Sequence, residues 1–140
     1  MDEKDRKIIE ILEEDARTPF TEIAKMLNVS EATVRKRIAR LERGGVIRRY
    51  TIEVDPVKLG YTTVTILGLD VEPEHFLDAA RKLAEMSEVR WVATSTGDHM
   101  IMAEIWTRDG NELARLISQR IGRIKGVKKI CPAIILEKIK

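Results

Sequence analysis

The chain has 140 residues, 44% of them hydrophobic and 34% charged, with a formal net charge of +2. That length holds one domain or two small ones, and that composition suits a soluble globular protein and excludes a disordered one. No apolar run approaches the roughly 20 residues that a membrane span needs. The charged start, Met1-Asp2-Glu3-Lys4-Asp5, predicts no signal peptide, and the single cysteine, Cys131, can close no intrachain disulfide, so a cytoplasmic setting is expected.

Three helices are expected first. Asp2 can cap a helix whose apolar stripe is Ile8, Ile9, Ile11 and Leu12. Thr18 before Pro19 reads as an N-cap followed by proline at the first helical position, opening a second helix through Ile23, Ala24 and Leu27. Asn28 tolerates the left-handed conformation of a tight turn, Ser30 caps a third helix with Thr33 three positions on, and Gly44-Gly45 ends it. Residues 46–54 alternate weakly and carry β-branched side chains, which predicts a short strand, with a linker around Asp55-Pro56.

The second half changes character. Strands are expected over 62–71, 89–96, 100–107 and 127–136, helices over 74–86 and from an Asp109 cap to Gly122, and a hairpin turn at Gly97-Asp98. The order βαββαβ defines an α+β, ferredoxin-like unit with both helices on one face of an antiparallel sheet. Pro132 then falls on an edge strand, where no central ladder bond is lost. Both alternating faces of the strands are apolar, Val64 and Ile66 against Leu67 and Leu69, Met100 and Met102 against Ile101 and Ile105. Two helices cover one face only, so the other is expected to meet a second copy in a homodimer. The domains read as 1–50, a helix-turn-helix; 51–61, a hinge strand and linker; and 62–140, a ferredoxin-like unit.

Charge is unevenly placed. Residues 1–15 hold three basic side chains against seven acidic ones, whereas residues 35–49 hold seven basic ones against Glu42 alone. A concentrated positive field suits phosphates, although a solvated basic surface is the alternative on charge alone. The spacing of Ala24, Asn28 and Val34 decides between them: a small residue where two helices touch, a left-handed turn residue four positions on, and an apolar residue six beyond that. This is the helix-turn-helix pattern. On the third helix Val34, Ile38 and Leu41 share one face, and Ala32, Thr33, Lys36, Arg40 and Arg43 lie opposite, with Arg35 and Arg37 on the flanks. Small groups and long cations on an exposed helix suit the major groove of double-stranded DNA, with base edges met near the N-terminus and phosphates along the flanks. The expected DNA-contacting set is Arg17, Thr21, Ser30, Glu31, Ala32, Thr33, Arg35, Lys36, Arg37 and Arg40.

These residues carry a family likeness. Through Asp5-Arg6-Lys7-Ile8-Ile9, Asp15-Ala16-Arg17, Glu22-Ile23-Ala24, Val34-Arg35-Lys36-Arg37-Ile38, Leu41-Glu42, Gly44-Gly45-Val46-Ile47, Leu59-Gly60-Tyr61 and Thr96-Gly97-Asp98, the chain resembles the Lrp/AsnC (leucine-responsive/asparagine-operon, feast/famine) transcriptional regulators from end to end. The resemblance implies a DNA-binding transcriptional regulator that forms dimers through both domains, octamers of four dimers, and amino-acid effector sites between dimers. It also implies an effector loop after the second strand, here Thr96, Gly97, Asp98 and His99, with Asp98 near the ligand's ammonium and loop amides near its carboxylate. From the residues alone, an ordinary hairpin turn is the stronger reading of Gly97-Asp98.

Other chemistry is sparse. His75, His99 and Cys131 stand without a second ligand at zinc spacing, and no phosphate-binding glycine loop or nucleophile–base order occurs, so no metal, no cofactor and no enzymatic activity are expected. Two further readings stay open at this level: a small-molecule-sensing module that acts on a protein partner, and an RNA-binding sheet, for which strand aromatics are scarce.

Overall fold

The computed structural model describes residues 1–140, which form two compact units, Met1–Glu53 and Val54–Lys140. The first is three helices, α1 (Glu3–Glu14), α2 (Phe20–Leu27) and α3 (Glu31–Arg43). Ile8, Ile23, Ala24, Val34, Ile38 and Leu41 make its core, none more than 6% exposed. Their spacing of three and four places them on one face of each helix.

Local chemistry sets the helix ends. Asp2 and Asp5 cap α1 reciprocally, each carboxylate accepting the other's backbone N–H, at 2.9 and 3.1 Å. Asn28 takes the left-handed conformation expected of it (φ 53°, ψ 50°), and Ser30 accepts the N–H of Thr33 at 3.1 Å to cap α3. Helix α2 begins one residue later than the sequence suggests, at Phe20. The Thr18 hydroxyl donates back to the Asp15 carbonyl at 2.8 Å and does not cap the helix.

The expected strand over 46–54 does not form. A strand is defined by its ladder of hydrogen bonds, and no segment of this chain pairs with it. Within this stretch Tyr50 donates its hydroxyl to Glu42 at 2.7 Å, and partial burial together with that carboxylate pushes its pKa up to about 12.

The second unit follows the predicted order. Strand β1 (Thr63–Val71), helix α4 (Phe76–Ala84), β2 (Val89–Thr94), β3 (Ile101–Thr107), α5 (Gly110–Gln119) and β4 (Val127–Ile134) form an antiparallel sheet in the order β2-β3-β1-β4. Pro132 sits opposite Leu67 on the edge strand β4. Thr65, Leu67, Leu69, Ile101, Ala103 and Ile105 are fully buried on the side where Ala79 and Leu83 of α4 and Leu116 of α5 pack. Residues of opposite parity, including Val64, Ile66, Met102 and Trp106, are only partly buried.

Helices α1 and α3 are also tied by charge. One Arg37 nitrogen, Nη1, lies 2.8 Å from both Asp2 oxygens and 3.0 Å from Asp5, and Arg40 approaches Asp5 at 3.3 Å. Asp5 is 1% exposed, so its charge has to be met inside the protein. The Arg37 guanidinium, helped by the Asp5 backbone N–H, holds the Asp2 carboxyl at about 2. Burial works upward on Asp5, but the Asp2 N–H and Arg37 outweigh it and its pKa is also lowered. Carboxyls whose pKa is depressed by folding contribute stability that is complete above the ordinary value of 3.8 and is lost as pH falls through the folded value. Arg37→Met is therefore expected to cost about 1–3 kcal/mol at neutral pH by removing a donor from a buried acceptor. Thermal melts of variant and wild type should converge as pH is lowered from 5 to 2; a difference independent of pH would contradict the assignment.

Candidate DNA interface and effector loop

On the outer face of α3, Glu31, Ala32, Arg35, Lys36 and Arg40 are exposed, while Thr33 and Arg37 are half-buried. Arg17, Thr21 and Ser30 are exposed on the same unit. The candidates differ in what they already hold. Arg35 pairs with Glu31 at 2.7 Å and its guanidinium lies 5.4 Å from the Phe20 ring centre. Ser30 and Thr33 share a hydroxyl–hydroxyl hydrogen bond of 2.9 Å. The Arg17 backbone N–H donates to Asp15 at 2.9 Å, which leaves its guanidinium unengaged. Lys36 makes no ion pair. Arg37 is committed to Asp2 and Asp5, a use that no helical-wheel argument reveals, because its partners lie more than thirty residues away. Arg40 keeps a longer contact with Asp5 and a 62% exposed side chain, so its charge remains available outside.

In the second unit Gly97-Asp98 does join two paired antiparallel strands, but through a connection longer than a tight turn. Strand β2 stops at Thr94 and β3 begins at Ile101, so a six-residue loop joins them, closed by the Ser95 N–H to the Met100 carbonyl at 2.9 Å. Gly97 has φ +111°, a conformation that side-chain-bearing residues rarely adopt. Thr96, Gly97 and Asp98 are exposed, and Asp98 pairs with nothing. His99 does not join them. Its ring lies over Gly68 of β1, where a Cβ would come within 2.3 Å of the imidazole Cδ2, and its Nδ1 is 3.5 Å from Asp70. That Nδ1 is buried and makes no hydrogen bond; 3.5 Å with no aligned donor is an electrostatic contact only. The extra loop residues let the chain turn His99 back onto the sheet. Gly68 was the sequence signal, a glycine inside an apolar strand marking a close approach.

One grouping escaped the sequence reading. Ligand atoms of Glu72, Glu74 and His75 lie within 4.8 Å of one another. His75 also lines a groove with Arg81, Lys82 and Lys125, whose charges oppose a cation there.

A compact helix-turn-helix with an exposed cationic third helix, followed by an antiparallel α+β unit, defines a two-part DNA-binding regulator. The family model of the AsnC-type helix-turn-helix domain matches residues 1–42, and that of the Lrp/AsnC ligand binding domain matches residues 64–140. The chain belongs to the Lrp/AsnC family of transcriptional regulators. It is 59% identical over 140 residues to the HTH-type transcriptional regulator LrpA of Pyrococcus horikoshii, covering 100% of this chain and 99% of that protein. It is 40% identical over 136 residues to LrpA1 of Halobacterium salinarum, covering 97% and 96%. The structure of E. coli AsnC superposes with a TM-score of 0.90 at 28% identity, covering 100% of this chain and 95% of that one. A Neisseria meningitidis transcriptional regulator solved in complex with L-Met shares the fold, with a TM-score of 0.93 at 20% identity and coverage of 100% and 92%. The relatives are transcriptional regulators rather than enzymes, and no helix here is long and apolar enough to cross a membrane.

The seat of His99 is open to test. Gly68→Ala is expected to destabilise the protein by about 1–3 kcal/mol, because the new methyl overlaps the ring. His99→Ala should remove most of that cost, so a double-mutant cycle followed by thermal unfolding will show strong coupling. Additive effects would place the ring elsewhere.

Proposed function

We propose that this protein reads a double-stranded operator through α3 and responds to an amino acid bound at the 95–100 loop of its second unit. The observation that carries the first half is the outward face of α3: Ala32 and Lys36 are exposed, unpaired and close to the helix N-terminus, on a scaffold that matches the AsnC-type helix-turn-helix domain. In this reading Lys36 and Arg40 meet base edges, and Arg17, Thr21, Ser30, Glu31, Thr33 and Arg35 meet or orient phosphates. Arg37 acts one step back, holding α1 against α3 through Asp2 and Asp5. Residues 1–50 serve DNA, 51–61 form the hinge, and 62–140 bind effector and assemble the oligomer, in the cytoplasm where the operator is.

The half-covered sheet supports a homodimer, and octamers of four dimers are the larger assembly we propose from the family likeness. Binding of RNA across that sheet is disfavoured. Arg90 lies 4.0 Å from the Trp106 ring centre, which leaves Trp91 alone for base stacking.

An amino acid suits the loop chemically. Asp98 is an exposed, unpaired carboxylate for an ammonium, and the amide of Gly97 offers a donor to a carboxylate. The L-Met complex of the Neisseria regulator supports that ligand class. A ligand held between subunits favours the assembled form and so shifts oligomer state or DNA affinity.

Lys36→Ala or Arg40→Ala is expected to weaken binding to a selected palindromic duplex by about 1–3 kcal/mol, whereas Arg35→Ala weakens all sequences and lowers the salt slope by about 1. Anisotropy titrations showing unchanged affinity for both of the first two variants would remove α3 as the reader. For the loop, calorimetric titration with each of the twenty amino acids is expected to give binding to wild type and none to Asp98→Ala, with effector-free DNA binding retained. Equal binding by both would place the effector elsewhere.

A further inference from the structure

A second cationic surface lies on the C-terminal unit and includes the groove beside His75. From Ala114 to Leu136 the chain carries six basic residues, Arg115, Arg120, Arg123, Lys125, Lys128 and Lys129, and no acidic one. Folding adds to this run. The end of α4 and the 3₁₀ turn Ile121–Arg123 flank two adjoining grooves, about 460 and 260 Å³, that share Lys82, Glu85 and Ile124. Lys82, Arg120 and Arg123 line the first, and Arg81, Lys82 and Lys125 line the second.

Of the five cations that line these grooves, Arg81 and Arg120 have carboxylate partners and three have none. Arg120 pairs with Glu88 at 2.7 Å, and Arg81 approaches Asp78 only at 3.7 Å with both side chains over 70% exposed. Lys82, Arg123 and Lys125 are exposed and make no ion pair, and Glu85 is the one unpaired carboxylate among them. Cations near helix C-termini do offset the helix dipole, but that effect fades within the last turn. Arg123 and Lys125 lie beyond the end of α5 at Gln119.

We propose that this groove binds the phosphate backbone of duplex DNA flanking the operator. The two grooves adjoin through Lys82, Glu85 and Ile124 and both carry cations, so the positive charge is distributed rather than focused, which suits a polyanion more than a small enclosed ligand. Once the helix-turn-helix holds its site, flanking phosphates are presented to the rest of the same protein at high effective concentration, so even a weak contact counts. The contact carries no sequence information; it adds affinity and salt dependence. This proposal rests on the DNA-binding reading of α3.

The test uses the full-length protein and two duplexes built on a site selected from a random pool. One is trimmed to the selected site, and the other is extended on both sides with unrelated sequence. Dissociation constants are measured against potassium chloride concentration for wild type, for Lys82→Gln/Arg123→Gln/Lys125→Gln, and for Glu85→Gln. Wild type is expected to show a steeper logarithmic salt slope on the long duplex. The triple variant is expected to lose about 1 in slope for each cation that meets a phosphate, on the long duplex alone, with wild-type affinity for the short one. Glu85→Gln, which removes the opposing charge, is expected to tighten the long duplex only. A triple variant with the wild-type slope, or an equal loss on both duplexes, would overturn the proposal. So would a thermal shift with ATP or inorganic phosphate that the triple variant abolishes while its DNA slopes stay unchanged, since the groove then holds a small anion. If wild type fails to bind the short duplex, the reading of α3 fails, and the groove's role falls with it.

Discussion

A four-stranded sheet has two faces, and this chain supplies helices for one of them. Strands β1 and β3 have apolar residues at both parities, so the uncovered face is too apolar to remain in water without cost. The chain covers it only in patches. His99 lies on Gly68, Arg90 lies over Trp106, and Tyr61 touches the same indole with ring centres 5.8 Å apart. What remains includes Trp91, 44% exposed, and Ala133 of β4, exposed and directly opposite Ile66. The loop that bears Asp98 owes its path to the same constraint, because His99 anchors it to the open face.

The N-terminal unit shows how a cationic helix is put to two uses. Burying Asp5 requires nearby positive charge, since an unmet carboxylate in an apolar core carries a penalty of several kcal/mol. Arg37 meets that need and is withdrawn from solvent. Lys36, one residue earlier and so about 100° around the helix, has no such obligation and faces outward. The acidic start of the chain, which looks like a solvated surface when counted, is therefore partly structural: Asp2 and Asp5 cap α1 and clamp α3 at once.

Much was legible in the sequence because it depends on neighbours close along the chain. The Asp2 cap, the left-handed Asn28, the Ser30 cap, the glycine stop of α3 and the βαββαβ order all appear where local propensity and hydrophobic spacing place them. The misses share one cause. Thr18 was drawn away from its cap by Asp15, residues 46–54 had no partner to make them a strand, and the Gly97-Asp98 connection is a six-residue loop whose His99 lies over Gly68 of another strand.

The sequence by itself determined the two units, their element order, the family, and the face of α3 that carries its cations. Periodicity and capping are read over a few residues, and the spacing of Ala24, Asn28 and Val34 lies within that range. Tertiary structure alone decided which cations are free. Arg37 meets Asp2 and Asp5 over more than thirty positions, Arg120 meets Glu88 over the same distance, and His99 finds its seat on Gly68. Charges and close approaches depend on distance through space, which the chain acquires only when it folds.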